Sequence, residues 1–264
     1  MDPIAQILLT NAAVSLALFV LLWLASLPIK DPSFVDSWWA FGIVVLAWLT
    51  FAQVPSSPHA WALALLASAW GLRLGTYLFF RWRAHGRDRR YEKMMAGAEK
   101  KRGWNYATAS LILVFVMQMP LQFIVALPVQ LGMLGEPREI GALGWAGIAL
   151  ALFGIAFEAL ADAQLSAFKA DAANAGKVMD RGLWRYSRHP NHFGDACAWW
   201  GMYFVAAETG LGAWSIIGPL LLTFLLTRVS GAPTLEPHLK RTRPDYEAYI
   251  KRTSDFIPLP PRRI

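Results

Sequence analysis

IAQILLTNAAVSLALFVLLWLASL, from Ile4 to Leu27, runs for 24 positions without a charged residue. A hydrocarbon core about 30 Å thick takes roughly 20 apolar residues as helix, because no water is present there to satisfy backbone amides. Six more apolar runs follow it: Trp38–Val54, Ala60–Phe80, Tyr106–Leu127, Ala142–Ala161, Phe193–Ala207 and Leu211–Thr227. The expected fold is therefore all-α, a polytopic membrane protein of about seven transmembrane helices. Composition agrees, with 56% hydrophobic and only 16% charged residues, against about a quarter charged in an ordinary soluble chain. The first run has no basic stretch ahead of it and no small-residue cleavage site before Pro28, so it is expected to stay as a helix. The sixth run is short, and Pro120 inside the fourth predicts a kink.

The charges test the span count independently. Arg81–Arg102 holds nine Lys and Arg, Lys169–Arg188 five and Arg228–Arg263 eight, together 22 of the 25; the rest are Lys30, Arg73 and Arg138. With seven spans, those three segments and the Lys30 loop share one side, and only Arg138 lies opposite. Positive charge kept on the cytoplasmic face then puts the N-terminus outside and the C-terminus in the cytoplasm. The formal net charge of +7 follows from this distribution and does not call for nucleic acid. Membrane lipids are the expected partners of the basic face. The basic segments are too long for plain connectors and are expected to form a cytoplasmic cap over a single domain spanning 1–264. The single cysteine, Cys197, excludes an internal disulfide and a cysteine-built metal centre. It sits in an apolar run and reads as packing.

Four polar clusters interrupt this pattern. The densest is YSRHPNHFGD, Tyr186–Asp195, at the start of the sixth run. A charge-rich flank with a proline turn accounts for its arginines and Pro190. It does not account for His189, Asn191, His192 and Asp195 around a helix mouth, where burying an unpaired charge is costly. Glu158 and Asp162, four apart, share one face of the fifth helix. They suit either a site facing a cavity or a structural pairing with an arginine from a neighbouring helix. Arg73, Arg81, Arg83, Arg87 and Asp88 form the third cluster, in which Arg73 alone is weak because it can snorkel. The fourth, Arg228, Glu236, His238, Lys240, Tyr246 and Tyr249, suits the wall of an anionic ligand site and equally a tail on lipid headgroups. No GxGxxG after a strand, Walker lysine box or HExxH is present. His189 and His192, three apart, lack further metal ligands nearby in sequence, so no metal is expected.

With GLWRYSRHPNHFGD (Gly182–Asp195), FEALADAQLSAFK (Phe157–Lys169) and the ending around Tyr249 and Ile257-Pro258, the chain resembles the steroid 5α-reductase superfamily. The resemblance is nearest to its bacterial branch, known as a domain of unknown function, and it points to a bacterial inner membrane. It implies seven helices, NADPH held in the cytoplasmic half, and reduction of a conjugated C=C bond in a membrane-soluble lipid such as a 3-oxo-Δ4 steroid. The family's cofactor asparagine falls on Asn191 and its adjacent acid on Asp195. Upstream acid and basic positions fall on Asp162, Lys169 and Lys177, the last helix's basic residue on Arg228, the late tyrosine on Tyr249, and the arginine after the third helix on Arg87, beside Gly86. Glu158, His189 and Glu236 are counted with this cofactor set.

The resemblance departs at the substrate end. Where the reductases place a glutamate that helps a tyrosine hold the steroid carbonyl, this chain has Gln53, and a glutamine is a poor proton source. Trp70 falls near the tyrosine's position, and Tyr77 is the nearest tyrosine. Gln53 and Tyr77 are the catalytic candidates, although the span map puts Gln53 near the outer face unless the helices tilt. A second reading is a membrane methyltransferase of the isoprenylcysteine carboxyl type, which shares the histidine-proline-asparagine style of helix start but uses S-adenosylmethionine. The number of cationic residues favours NADPH, with its several phosphate charges. A third, non-enzymatic reading is a protein whose basic face grips anionic headgroups.

Overall fold

A computed structural model describes residues 2–229 and 232–262. The side chains of 232–235 and of His238 lie outside the described residues. The elements are α1 (Pro3–Ile29), α2 (Val35–Phe51), α3 (Pro58–His85), α4 (Arg89–Arg102), α5 (Tyr106–Ser110), α6 (Val116–Val125), α7 (Leu127–Leu134), α8 (Ala142–Ala170), α9 (Pro190–Ala207), α10 (Ile217–Phe224), α11 (Ala232–Thr242) and α12 (Tyr246–Arg252). Among the described residues the extended contact is a single isolated bridge, Ser187 to Ser254.

Five helices are long and apolar enough to cross a membrane: α1, α3, the continuous Tyr106–Val125, α8, and Leu211–Val229. The sequence reading expected seven. The difference falls on α2, which has 17 residues, and α9, which has 18. At 1.5 Å per residue these reach about 25 and 27 Å, short of a hydrocarbon core of about 30 Å. In addition, α9 carries His192 and Asp195. Both helices are sheathed by others, α2 along α3, and α9 along α8 and α7, so neither has to be apolar all round. Near Pro120 the backbone leaves α geometry one turn upstream, where Leu111–Phe115 forms a π-helical segment.

The α8–α9 contact positions the site. Gly147 and Gly154 on α8 face Gly194 and Gly201 on α9, and a Cβ on Gly194 would lie 2.6 Å from the backbone nitrogen of Glu158. Small residues at this spacing let the two backbones touch. Large apolar side chains, Trp70, Trp199, Met202 and Leu63 among them, fill the core beside the seam. Side-chain caps begin several helices: Ser57 on α3, Asp88 on α4 and Asn105 on α5 each accept a backbone N–H of the first turn.

The basic segments dock in two places. Asp36 accepts from Tyr91 Oη (2.6 Å) and Arg90 Nη2 (2.8 Å), which ties α4 to the start of α2. The C-terminal segment lies along the stretch before α9, where Arg188 N donates to Ser254 O (2.8 Å) and Leu259 N to Tyr186 O (3.0 Å).

Candidate functional site

The site lies where α3 faces α8 and the first turns of α9. Trp70, Arg73, Tyr77 and Arg81 follow one another on α3 at intervals of three and four, so they share a face. On α8, Glu158, Asp162, Ser166 and Lys169 do the same. Arg73 joins the two helices: its Nη1 donates to Asp162 Oδ2 at 2.8 Å, and its Nη2 pairs with Glu158. The arginine that the α8 acids call for is thus Arg73. One turn onward, Tyr77 Oη lies 3.3 Å from Ser166 Oγ. Beyond them a cavity of about 600 Å³ is lined by Tyr77, Arg81, His85, Ser166 and Lys169, and by the carboxylates of Asp36 and Asp88. This volume is within the roughly 300–1,000 Å³ usual for small-molecule and cofactor sites.

The start of α9 enters the same seam from the side. Asn191 Nδ2 donates to Asp162 Oδ1 (3.2 Å), and Trp70 Nε1 donates to Asp195 Oδ1 (3.0 Å). Glu158, Asp162 and Asp195 are 3%, 4% and 7% exposed. Around the seam several buried polar atoms have no hydrogen-bond partner among the described residues, Asn191 Oδ1, His192 Nδ1, Arg73 Nε and Trp199 Nε1 included. His192 stacks on His189, with ring centroids 5.3 Å apart. Buried polar atoms left unpaired in this way are costly.

The sequence candidates divide sharply. Asp162, Glu158, Asn191 and Asp195 meet, and Lys169 and Tyr77 line the adjoining cavity. The others are held elsewhere. Arg87 donates to Ile29 O (3.0 Å) beyond the end of α3, Lys177 is exposed on the loop after α8, and Arg228 is exposed at the end of the last long helix. His189 and Glu236 belong to a neighbouring knot centred on Arg188. Its Nε donates to Glu236 (2.7 Å), its Nη1 to Thr253 O (3.0 Å) and its Nη2 to Asp255 (3.1 Å). Although burial opposes its ionisation, bonds from His189 and Arg188 hold the Glu236 carboxyl below the usual carboxylate range. Tyr249 Oη is buried and donates to Trp184 O, while burial and the neighbouring Tyr246 push its phenol up. These are struts of the C-terminal segment. The expected convergence of Lys169, Asn191 and Arg228 on one hollow is therefore corrected: Asn191 faces the inner seam, Lys169 the cavity, and Arg228 neither.

Gln53 and Tyr77 also fail to meet. Tyr77 lies 19 residues beyond Pro58 on α3, about 28 Å along the axis. Gln53 precedes that helix and donates to Asn11 Oδ1 (3.1 Å) and Leu49 O (2.7 Å). Asn11 in turn donates to Thr50 Oγ1 (2.8 Å) and Gln130 Oε1 (2.9 Å), making a saturated polar clasp at the far end of the bundle. The residues that sequence reasoning underweighted are Arg73 and Trp70. The available signal was the mismatch of two acids on α8 with a lone arginine inside an apolar helix.

The sequence from residue 22 to 253 matches the family described as "Protein of unknown function (DUF1295)". The chain belongs to this family. The match takes in all of α3, α8 and α9, and with them every residue of the seam. An uncharacterized protein of Schizosaccharomyces pombe is similar to this DUF1295 chain, with 26% identity over 267 residues that cover 90% of this chain and 75% of that protein. No solved structure matches it.

Proposed function

We propose that this DUF1295 chain is an NADPH-dependent reductase of a conjugated C=C bond, an enone, in a membrane-soluble lipid, as its resemblance to the steroid 5α-reductases implies. In this reading α2 and α9 cross the membrane inside a sheath of the five more apolar helices, giving seven spans. The basic end of the bundle is then cytoplasmic and the N-terminus outside, a reading supported by the distribution of Lys and Arg.

One observation carries the reading: the α3–α8 seam is cationic at its open end and acidic at its buried end. Arg81, Lys169 and His85 line the cavity together with Asp36 and Asp88; those two carboxylates are paired with Arg90, and the guanidinium of Arg81 and ammonium of Lys169 suit phosphates. About two turns of helix inward, the unpaired Oδ1 of Asn191 suits a carboxamide N–H. A dinucleotide ending in a carboxamide-bearing ring matches that polarity end to end, so the residues fit the cofactor.

In this mechanism Arg81 and Lys169 hold the phosphates at the mouth, and Asn191 orients the ring amide. When bound, the reduced nicotinamide supplies a hydride to the β-carbon of the enone. Tyr77 donates from Oη to the substrate carbonyl oxygen and stabilises negative charge as it develops there. Gln53, committed to the distant clasp, has no part in it. Trp70, Trp199 and their apolar neighbours keep water from the inner end.

The acidic inner end also suits the sulfonium of S-adenosylmethionine, which is what keeps a methyltransferase as the second reading. Titration of the purified protein in nanodiscs with each compound separates the two. NADPH binding with a shifted fluorescence signal, weakened roughly tenfold or more by Arg81→Ala or Lys169→Ala, is expected from loss of a charge-assisted phosphate contact. Binding of S-adenosylmethionine without NADPH replaces the reductase with the methyltransferase. A protein that only grips headgroups binds neither compound and associates with anionic liposomes in a salt-dependent way.

A further inference from the structure

Along α3, Tyr77, Arg81 and His85 recur every fourth position, so they share a face, and each stands about 6 Å beyond the last. All three line the cavity, and His85 is the outermost of them. Its Nδ1 lies 3.0 Å from Arg81 O. A carbonyl oxygen only accepts, so Nδ1 carries a hydrogen and Nε2 is the free atom of the ring. Among the described residues His85 forms no other bond. The two carboxylates of the same wall are already taken. Arg90 Nη2 lies 2.8 Å from an oxygen of Asp36 and 2.8 Å from one of Asp88, and Asp36 also accepts from Tyr91 Oη. This bears on the choice of nucleotide. In dinucleotide sites an acid offered to the ribose 2′-hydroxyl favours the unphosphorylated form, whereas a cation at that place accommodates a 2′-phosphate. Here the acids are bound up with Arg90, and the group left free at the mouth is an imidazole.

We infer that His85 holds the 2′-phosphate of the dinucleotide and thereby sets a preference for NADPH over NADH. The inference rests on the reductase reading, in which Arg81 and Lys169 take the diphosphate and the ring lies further in. In that order the adenosine ribose comes after Arg81, towards the end of α3. One ribose separates the diphosphate from the 2′-phosphate, and one turn of helix separates Arg81 from His85. With both nitrogens protonated, His85 donates from Nε2 to a phosphate oxygen in a charge-assisted bond. In the neutral ring Nε2 has no hydrogen to give. The preference therefore grows as pH falls through the range in which histidine takes up its proton. The other charged and titratable groups around the cavity do not mimic this. Arg81 and Lys169 act on the diphosphate that both nucleotides carry, Asp36 and Asp88 stay with Arg90, and Tyr77 Oη lies two turns further in beside Ser166.

NADH lacks only the 2′-phosphate, so the ratio of its dissociation constant to that of NADPH isolates this contact, and whatever the two nucleotides share cancels. Purified full-length protein in nanodiscs is titrated with each nucleotide by fluorescence, at one salt concentration, at about pH 6.5 and about pH 8.5, on either side of neutrality where histidine changes charge. At the lower pH the wild type is expected to favour NADPH roughly tenfold or more, the size of one charge-assisted bond, and at the higher pH by clearly less. His85→Gln is expected to lose most of the preference at both pH values while its affinity for NADH is unchanged. His85→Arg, charged throughout, is expected to keep the preference and lose its dependence on pH. A wild-type ratio of one overturns the inference, as does a preference that does not change with pH or that His85→Gln leaves in place. In each of those cases both nucleotides still bind and the reductase reading stands. Failure of the wild-type protein to bind either nucleotide overturns both.

Discussion

Replacing Arg73 with leucine removes the one cation from the buried end of the seam. The side chains of Glu158 and Asp162 are 4% and 6% exposed, whereas that of Arg73 is 21% exposed, so the acids and not the arginine are left stranded. Stripping one partner from a buried ion pair costs about 3–5 kcal/mol, most of it the penalty of the abandoned charge. For a chain of this size 1 kcal/mol moves the unfolding midpoint by roughly 2–4 °C, so Arg73→Leu is expected to lower it by about 6–20 °C. The measurement is thermal unfolding of the detergent-solubilised protein, followed by tryptophan fluorescence. The origin of the loss is checked by a double-mutant cycle. In the background Glu158→Gln, Asp162→Asn no charge is stranded, and Arg73→Leu should cost less than about half of what it does in the wild type. If Arg73→Leu shifts the midpoint by no more than 2 °C, or costs as much in the neutralised background, the account of Arg73 as counter-ion to the α8 acids is wrong.

Gly194→Ala places a methyl group 2.6 Å from the Glu158 backbone; separation of α8 and α9 should lower stability by about 1–3 kcal/mol and lower nucleotide affinity with it, as read by midpoint and titration. Asn11→Leu breaks the clasp with Thr50, Gln53 and Gln130 and should cost about 1–3 kcal/mol, yet leave nucleotide affinity unchanged because the clasp lies at the far end; a loss of affinity would contradict that placement. Glu236 has a folded pKa below its unfolded value, so its contribution is present above the ordinary glutamate value, about 4.3, and is lost as pH falls through the depressed folded value. Hydrogen exchange in α12 should therefore accelerate below about pH 4, and Arg188→Ala should produce the same acceleration at pH 7; protection that is unchanged in both cases removes the Arg188–Glu236 tie as the anchor of the C-terminal segment.

How much was legible depends on whether the deciding interaction is local. Every long apolar run corresponds to a helix, and the boundaries of α3 and α8 differ from the sequence reading mainly at the basic end, where both continue past the apolar stretch to His85 and Ala170. Those extra turns carry Arg81 and Lys169. They were missed because hydropathy registers only where apolar residues stop, while a helix stops where its backbone hydrogen bonds stop. Gly86 ends α3 with a positive φ of 71°, a signal that the sequence did contain. The π-helical segment at Leu111–Phe115 had no such signal.

The shared face of Glu158 and Asp162 was readable from their spacing of four, and the polar surroundings of Asn191 from YSRHPNHFGD. Their partners were not. Arg73 is 89 positions from Asp162, and Trp70 is 125 from Asp195. Tyr249 and Glu236 also stand in polar sequence surroundings, and the fold bonds them to Trp184 O and Arg188.

Sequence alone determined that this chain is a helical membrane protein with most of its cations in three segments between or after apolar runs, since in hydrocarbon each backbone amide must bond within its own helix and each run of apolar residues is therefore self-sufficient. Tertiary structure alone decided which polar residues meet. Ion pairing and hydrogen bonding between helices depend on rotation and approach, and here both are set by the glycine contact between α8 and α9, whose regular spacing within each helix does not name its partner, and by one arginine reaching across from α3, which leaves no periodic trace in the chain.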